Sequence, residues 1–341
     1  MRKCRNSAVL LFAGWGTLLA ILFLANLFWG SVSIPFHAVA DILTGGDAGN
    51  EGWRLILLHT RLPQAVTALL AGMALSVAGL LLQTLFNNPL AGPEVLGINS
   101  GAGLGVAVVM LLLQGTLVAG WGGYLAVLAG AFMGALFIIA VVLLLARLLS
   151  NKIYLLIAGL AMSYLTSSVI SILNYFSTAE GVHSYLIWGM GSFGAVSVAQ
   201  LPFYSVLLAV VLVAALLLVK PLNALLLGDY YAVNLGINIK RVRGVLLLIV
   251  GLLTATVTAF CGPVAFIGLA VPHLSRMAVG TSNHRRLLPV TMLLGGAVTL
   301  LCNLVCQLPG ESGLLPLGAI TPLIGAPVII YVVLKERSSM G

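Results

Sequence analysis

Long runs of apolar residues without a charged side chain recur along this sequence. Ala8–Phe28 and Pro202–Val219 are two of them, 21 and 18 residues long. About 20 residues of helix span the ~30 Å hydrocarbon core of a bilayer, and in lipid the backbone must satisfy its own hydrogen bonds. The runs also lack the alternation typical of barrel strands. We therefore predict an all-α integral membrane protein.

The composition agrees with this class and disfavours a soluble protein. Of 341 residues, 61% are hydrophobic and 7% are charged, whereas a soluble domain has about 25% charged residues. The amino-terminal MRKCRN and its apolar run resemble a secretory signal. That run is longer than a signal's apolar segment, and no A-x-A-like cleavage site follows it. We predict a retained first helix.

Glycine, proline and charge clusters divide the chain into about ten transmembrane helices. The predicted spans are 8–28, 63–85, 95–113, 123–146, 153–175, 197–219, 244–260, 264–280, 289–306 and 317–334. Span 264–280 is the least regular because Pro272, His273 and Arg276 interrupt it. We treat residues 1–341 as a single transmembrane domain, with a loop at 30–60 that contains a short interfacial helix.

The basic residues indicate how the chain is oriented. If the N-terminus is cytoplasmic, only Arg54 and Arg61 of the 16 Lys and Arg lie outside. Cytoplasmic connections carry the excess of Lys and Arg in membrane proteins. We therefore predict cytoplasmic N- and C-termini and a multi-pass protein of the bacterial inner membrane. The net charge of +8 then reflects orientation, not binding to nucleic acid.

Small residues recur at one-turn spacing in two spans. Ala68, Gly72, Ser76 and Gly79 follow one side of the second span, and Ser100, Gly101, Gly103 and Gly105 crowd the third. Small side chains allow helix backbones to approach closely in lipid. We expect packing within one subunit, with a dimer interface or a pore lining as the alternatives.

No cluster of reactive side chains indicates an enzyme or a metal site. The loop histidines His37 and His59 are expected to be solvated or hydrogen-bonded, with metal binding as the alternative. Cys4, Cys261, Cys302 and Cys306 are too scattered for a disulfide framework; Cys302 and Cys306, one turn apart, are expected to be small buried packing residues, with a redox or metal pair as the alternative. No G-x-x-x-x-G-K-[ST] loop is present, so the chain cannot hydrolyse ATP by itself. Intramembrane acids, which often mark ion-coupled pathways, are nearly absent, but a secondary transporter or channel without an ATPase stays the alternative.

Segment 220–243 is the longest cytoplasmic connection, and it is semi-apolar with a basic end. Gly228 and Gly236 divide it, a pattern that favours two short helices lying on the membrane face. An ordinary interfacial loop is the alternative. Its length and apolar content favour a docking platform for a partner.

Several ordered motifs resemble one known family. They are RLPQ…GMALSVAGLLLQTLFNNPLAGPEVLGINSGAG (61–104), YFSTAEGVHSYLIWGMGSF (175–193), VNLGINIKRVR (233–243), GPVAFIGLAVPHLSRMAVG (262–280) and PLGAITPLIGAP (316–327). They are similar to the iron-chelate/vitamin B12 (FecCD/BtuC-type) permease family of type II ABC importers. The resemblance implies a BtuC-like permease fold and a homodimer with a central translocation path. It also implies two ATP-binding cassette subunits beneath and a periplasmic or lipid-anchored substrate-binding protein above, with no cofactor in this chain and ATP-Mg on the ATPase.

The resemblance also implies roles for individual residues. Asn88, Pro89 and Leu90 would form a cytoplasmic gate, which Asn151 and Lys152 match more loosely; a plain helix-breaking turn is the alternative. Asp229, Leu235, Gly236, Ile237 and Arg241 would couple to the ATPase, and Ser163, Thr166, Ser167 and Ser171 would line the pore. His273 and Arg276 are read either as functional or as groups that cap a helix C-terminus.

Three positions depart from the family pattern at the predicted outer face. Gln64 replaces an arginine of the RLPR motif, and Asn303 and Gln307 stand where an Asp and an Arg are common. Docking of the binding protein would then depend on Arg61, with Arg54 as a possible substitute, and would be less sensitive to ionic strength. The cargo is expected to be a ferric siderophore, with cobalamin or haem as alternatives.

Overall fold

The computed structural model describes residues 2–46, 50–112, 121–149, 151–308 and 313–339. Within these residues the chain is helical, without strands. The helices are α1 Arg2–Phe28, α2 Phe36–Leu43, α3 Glu51–Ile56, α4 Leu62–Phe86, α5 Ile98–Ala107, α6 Trp121–Leu148, α7 Lys152–Phe176, α8 Ala179–Met190, α9 Leu201–Leu217, α10 Val219–Leu225, α11 Asp229–Asn234, α12 Ile239–Cys261, α13 Ile267–Val279, α14 His284–Cys306 and α15 Leu317–Ser339.

Each of the ten predicted spans coincides with a helix. In the described residues, five helical stretches are long and apolar enough to cross a membrane, and α9 with α10 forms a sixth that bends by 53°. Three shorter apolar helices and α13 account for the other four. α13 begins at Ile267, later than the predicted span, because Phe266 just before it has a left-handed φ of 68° that is not helical. The predicted all-α membrane fold is confirmed.

The core of the subunit is built around α4. Nearly every residue from Ala71 to Phe86 is buried, and α4 packs against α12, α13 and α14. A helix that is apolar on all sides is stable only when it is surrounded by other elements or lipid. The interfacial helix predicted in the outer loop is also present, as α2, with Ala38, Val39 and Ile42 buried.

Glycines allow the central helices to touch backbone to backbone. A Cβ atom at Gly79 would overlap the carbonyl oxygen of Gly268 in α13, and one at Gly72 would overlap that of Gly295 in α14. The same close approach joins Gly105 of α5 to Gly130 of α6. The small residues predicted to pack helices therefore do so within one subunit.

Helix ends that were predicted to lie on the same side of the membrane contact one another. At the inner end, Thr84 of α4 contacts His284 of α14, and Arg243 of α12 contacts Leu149 after α6. At the outer end, Asn26 of α1 contacts Asn303 of α14. These contacts agree with the orientation predicted from the basic residues.

α7 is much less covered than the central helices. Large side chains along it are exposed, including Tyr164, Leu165, Tyr175 and Phe176. An apolar helix face of this kind is stable only against lipid or another protein surface. α7 therefore lies at the edge of the isolated subunit.

The contact at Gly79 makes a testable prediction. We expect Gly79→Ala to lower the stability of the protein by about 3 kcal/mol, because its methyl group forces α4 away from α13. The thermal unfolding midpoint of the purified protein in detergent measures this. Gly14→Ala in α1 is the matched control, since no atom lies within 4 Å of its added Cβ. Equal midpoints for the two variants would contradict the backbone contact.

Candidate functional site

The predicted gate is a tight turn at the inner end of α4. Asn87 ends the helix in the left-handed region, with φ 48°, and Asn88 Oδ1 accepts a hydrogen bond of 2.9 Å from the backbone N–H of Leu90. The Asn88 amide therefore shapes the turn. Pro89 is exposed, and the Leu90 side chain is 50% exposed. The turn thus presents an apolar side chain that another surface can cover.

The segment after this turn is held by Glu94, which sequence reasoning did not single out. Its Oε1 accepts a hydrogen bond of 2.9 Å from the backbone N–H of Phe266, the residue with positive φ before α13. Desolvation raises the pKa of the Glu94 carboxyl above its ordinary value. The sequence did contain one sign that Glu94 is special, because Glu94 is the sole acidic residue between Glu51 and Glu180.

The second predicted gate is described only in part. Asn151 caps α7, because its Oδ1 accepts a hydrogen bond of 2.8 Å from Ile153 N–H, and its side chain is exposed. Ser150 and the side chain of Lys152 lie outside the described part of the structure.

The two short helices predicted in segment 220–243 are present as α10 and α11. Asp229 begins α11, Leu235 and Arg241 are exposed, and Ile237 is half-buried. Gly236 has a φ of 80°, and no atom lies within 4 Å of a Cβ added there. A side chain at Gly236 would therefore strain the backbone and project away from the subunit.

The same segment exposes a group of large apolar side chains, here called the coupling patch. Tyr230 is 82% exposed, and the others are also largely open. The coupling patch comprises Leu226, Leu227, Tyr230, Tyr231, Val233 and Leu235. Contiguous exposed apolar surface of this kind marks an interaction site.

A chain of polar contacts, here called the inner link, joins α10 to α4. The backbone N–H of His284 donates to Asn223 Oδ1 at 2.8 Å, and His284 Nδ1 lies 3.1 Å from the same oxygen. His284 Nε2 lies 2.8 Å from Thr84 Oγ1, three residues before Asn87. Sequence reasoning missed His284 and Asn223, because nothing in their spacing indicates that α10, α14 and α4 meet here.

The inner end of α13 is also attached to α4. Arg276 donates from Nη2 to Gln83 Oε1 at 2.6 Å, and Gln83 donates from Nε2 to the Leu269 carbonyl at 3.2 Å. His273 Nδ1 lies 3.3 Å from the same carbonyl. Arg276 therefore contacts the last turn of α4 in addition to its place near the C-terminus of its own helix.

The four predicted pore residues on α7 do not share one environment. Thr166 is 3% exposed, and its hydroxyl donates to the carbonyls of Met162 and Ser163 at 2.9 Å each. Ser163 packs beside Gly97. Ser167 and Ser171 are exposed. Thr166 therefore faces the interior of the subunit, and Ser167 and Ser171 are the pair on the open face.

The two predicted docking arginines have opposite environments. Arg61 is 4% exposed; it donates to the carbonyls of Leu27 at 2.9 Å and Phe28 at 3.0 Å, and also to Val32. This guanidinium holds the chain after α1 and is covered by it, which argues against docking through Arg61. Arg54, in contrast, is exposed on α3.

The three departures from the family pattern form one connected group, here called the amide chain. Gln64 donates to Asn303 Oδ1 at 3.0 Å, Asn303 donates to Asn26 Oδ1 at 2.7 Å, and Gln307 donates to Gln64 Oε1 at 3.4 Å. Buried polar groups need partners, and neutral amides supply them without burying charge. The side chains at the three departing positions, 64, 303 and 307, therefore contact one another directly or through Gln64.

Comparison with known proteins gives a match along nearly the whole chain. Residues 18–335 match the FecCD transport family. The vitamin B12 import system permease protein BtuC of Klebsiella pneumoniae is 37% identical over 284 residues, 83% of this chain and 84% of that protein. The hemin transport system permease protein HmuU of Yersinia pestis is 35% identical over 323 residues, 94% of each chain.

Solved structures share the fold. A metal-chelate type ABC transporter in an inward-facing conformation aligns with a TM-score of 0.83 and 30% identity, covering 95% of this chain and 98% of that one. PsaBC from Streptococcus pneumoniae, solved with a Fab, aligns at a TM-score of 0.50 and 15% identity over 86% of this chain and 94% of its own, which indicates the fold alone.

These relatives are permease subunits of importers in which separate partner subunits hydrolyse ATP. The prediction of a transporter subunit without its own ATPase site is therefore confirmed. The motifs, the helical architecture and the match over residues 18–335 lead to one conclusion: this chain belongs to the FecCD transport family.

Proposed function

We propose that this chain is the permease subunit through which an ATP-driven importer passes a bulky metal chelate from a substrate-binding protein to the cytoplasm. The observation that carries the proposal is the inner link, which joins the segment bearing the coupling patch to the helix that ends in the gate turn. A surface for an ATPase and a movable gate are the two parts that such a subunit needs.

The coupling patch is the proposed ATPase-binding surface. Its tyrosine and leucine side chains are open to solvent in the isolated subunit, and aromatic residues are enriched at the centres of protein interfaces. Leu235 is part of it, and the exposed residues Gly236 and Arg241 follow it in the sequence. Two ATP-binding cassette subunits, with ATP-Mg bound to them, would each cover one such surface of a homodimer.

Motion of α10 would reach the gate through the inner link. Asn223 contacts His284, and His284 contacts Thr84 one helical turn before Asn87. The Thr84–His284 contact is buried and the His284–Asn223 contacts are partly buried. Hydrogen bonds in such low dielectric are costly to break, so α10 and the end of α4 should move together. Leu90, and its symmetry mate in the second subunit, would then separate or close across the two-fold axis.

The open face of α7 is the proposed contact between the two subunits and the wall of the passage. It combines large apolar side chains with the hydroxyl groups of Ser167 and Ser171. A wall with few charged groups would hold a chelate weakly and let it leave. Asn151, at the start of α7, would lie at the inner mouth of this passage.

The cargo is proposed as a metal chelate held mainly by the binding protein. Ferric siderophore remains the prediction from the sequence, while the named relatives belong to cobalamin and hemin systems. All three chelates therefore need direct comparison. Co-purification of the tagged chain with its partners, followed by ATPase assays in lipid with binding proteins loaded with each chelate, makes that comparison.

A complex of two permeases and two ATPases whose activity responds to one loaded binding protein is the expected result. A chain that purifies alone and moves a substrate without ATP would overturn the proposal. That outcome would instead support a secondary transporter or channel.

The first variant tests the coupling segment. We expect Gly236→Trp to separate ATP hydrolysis from import, because the indole projects into the ATPase surface and the residue is strained at positive φ. Import per ATP hydrolysed should fall about tenfold or more. Gly280→Trp is the matched control, because Gly280 also has a positive φ and open surroundings but follows α13. Wild-type coupling in Gly236→Trp would contradict the assignment.

A second variant tests the inner link. Asn223→Ala removes the oxygen that contacts His284, so we expect a several-fold loss of import at nearly normal ATPase activity and assembly. Thr178→Ala is the control, because Thr178 also caps a helix, α8, by accepting from Gly181 N–H, and it lies outside segment 220–243. If both variants lose import equally, the loss reflects helix capping and the link is not a route of coupling.

The outer face gives opposite expectations for its two arginines. We expect Arg54→Glu to weaken capture of the binding protein about tenfold without altering thermal stability, because an exposed charge contributes through the interface alone. Arg61→Gln should lower the unfolding midpoint, because carbonyls at the end of α1 and at Val32 lose their buried donor. Surface plasmon resonance and thermal unfolding of both variants measure the two effects. Reversed results would restore Arg61 as the docking residue.

A further inference from the structure

A cavity of about 640 Å³ opens between the end of α6 and the start of α12. It lies at the ends of the two helices that the basic residues place on the cytoplasmic side. The lining residues are Leu143, Ala146, Arg147, Lys240, Arg241, Arg243, Gly244, Val245 and Leu248. The cavity adjoins the proposed coupling segment, because Arg241 lines it, whereas the coupling patch itself belongs to α10, α11 and the residues beside them.

Positive charge dominates one part of this cavity. Arg147, Lys240, Arg241 and Arg243 converge on it, and the described lining residues include no carboxylate. Arg243 is 9% exposed and donates from Nη1 to the Leu149 carbonyl at 3.3 Å, which holds its guanidinium in the wall. The other three basic side chains are exposed. The exposed charges of Arg147, Lys240 and Arg241 repel each other, and an anion bound among them would lower that repulsion.

The remainder of the cavity is apolar and continues towards the lipid. Leu143, Val245 and Leu248 lie deeper along α6 and α12, and Val245 and Leu248 are partly exposed. On the adjacent side of α6, Leu144 and Leu148 are also exposed, as expected for a helix that faces acyl chains. The site therefore has basic side chains at its cytoplasmic rim and apolar side chains deeper in the membrane. A lipid has the same arrangement, with its headgroup at the surface and its acyl chains below.

We propose that this cavity binds the headgroup of an anionic phospholipid from the cytoplasmic leaflet. Arginine and lysine bind phosphodiester oxygens by charge-assisted hydrogen bonds, and basic pockets between helices on the cytoplasmic side suit such headgroups. A free phosphate would use the rim but leave Val245 and Leu248 without a partner. The lipid satisfies both parts of the site.

Native mass spectrometry of the full-length chain, with the subunits that co-purify with it, tests the proposal. Cardiolipin, phosphatidylglycerol and phosphatidylcholine are titrated separately, and bound lipid is counted. We expect the two anionic lipids to be retained and phosphatidylcholine to be lost. Inorganic phosphate at millimolar concentration should not displace the lipid, because it replaces the rim contacts alone.

Two variants locate the site. Arg147→Gln/Lys240→Gln should weaken retention of anionic lipid about thirtyfold, as the loss of two charges near a membrane surface implies. Arg285→Gln/Arg286→Gln removes the same charge from exposed residues of α14 and should not weaken it. Gly244→Leu changes no charge and narrows the cavity, because Gly244 lines it and no atom lies within 4 Å of an added Cβ; it should also weaken lipid retention.

The proposal fails if the two double variants lose lipid equally, because retention would then follow net charge and not this cavity. It also fails if Gly244→Leu keeps wild-type retention, or if inorganic phosphate alone displaces the lipid. Absence of bound lipid in the assembled complex, with lipid on the isolated chain, would show that a protein subunit covers the cavity and would overturn it too.

Discussion

The approach of α4 to its neighbours at backbone distance is the contact on which the rest of this structure depends. Lipid offers no hydrophobic force to hold helices together, so close packing and polar contacts must do so. Gly72 and Gly79 place α4 directly against α14 and α13. That closeness brings Ser76 within 3.0 Å of the Thr291 carbonyl and Thr299 within 2.7 Å of the Ala68 carbonyl. The small residues and the polar contacts therefore act together.

Neutral polar groups connect the helices at both ends of the bundle. The amide chain joins α1, α4 and α14 at the outer end, and the inner link joins α10, α14 and α4 at the inner end. Charged pairs at such depth would have to be desolvated, which is costly even when they are matched. Amides, hydroxyls and an imidazole give directional contacts at lower cost. The three positions that depart from the family pattern, Gln64, Asn303 and Gln307, therefore form one hydrogen-bonded group.

The arrangement separates a fixed core from surfaces that need partners. α4, α12 and α14 are mostly covered by the subunit itself, whereas α7 and the coupling patch expose large apolar side chains. The inner link is the route by which the proposed ATPase surface meets the proposed gate turn. On the outer face, Arg61 belongs to the fixed core, which leaves Arg54 as the exposed arginine.

The sequence by itself determined the class of fold, the positions of the helices at the ten predicted spans and the family, because apolar length and ordered motifs are properties of the chain alone; the orientation stays a prediction from charge asymmetry. It also determined the two short helices before α12 and the glycines that pack α4. Tertiary structure decided the rest. Burial of Arg61, the inward position of Thr166, the contacts of Glu94 and the route from Asn223 to Thr84 all join residues that are distant in sequence. Such contacts depend on how helices rotate about their axes and on which ends meet, and in this chain short-range periodicity carries no information about either.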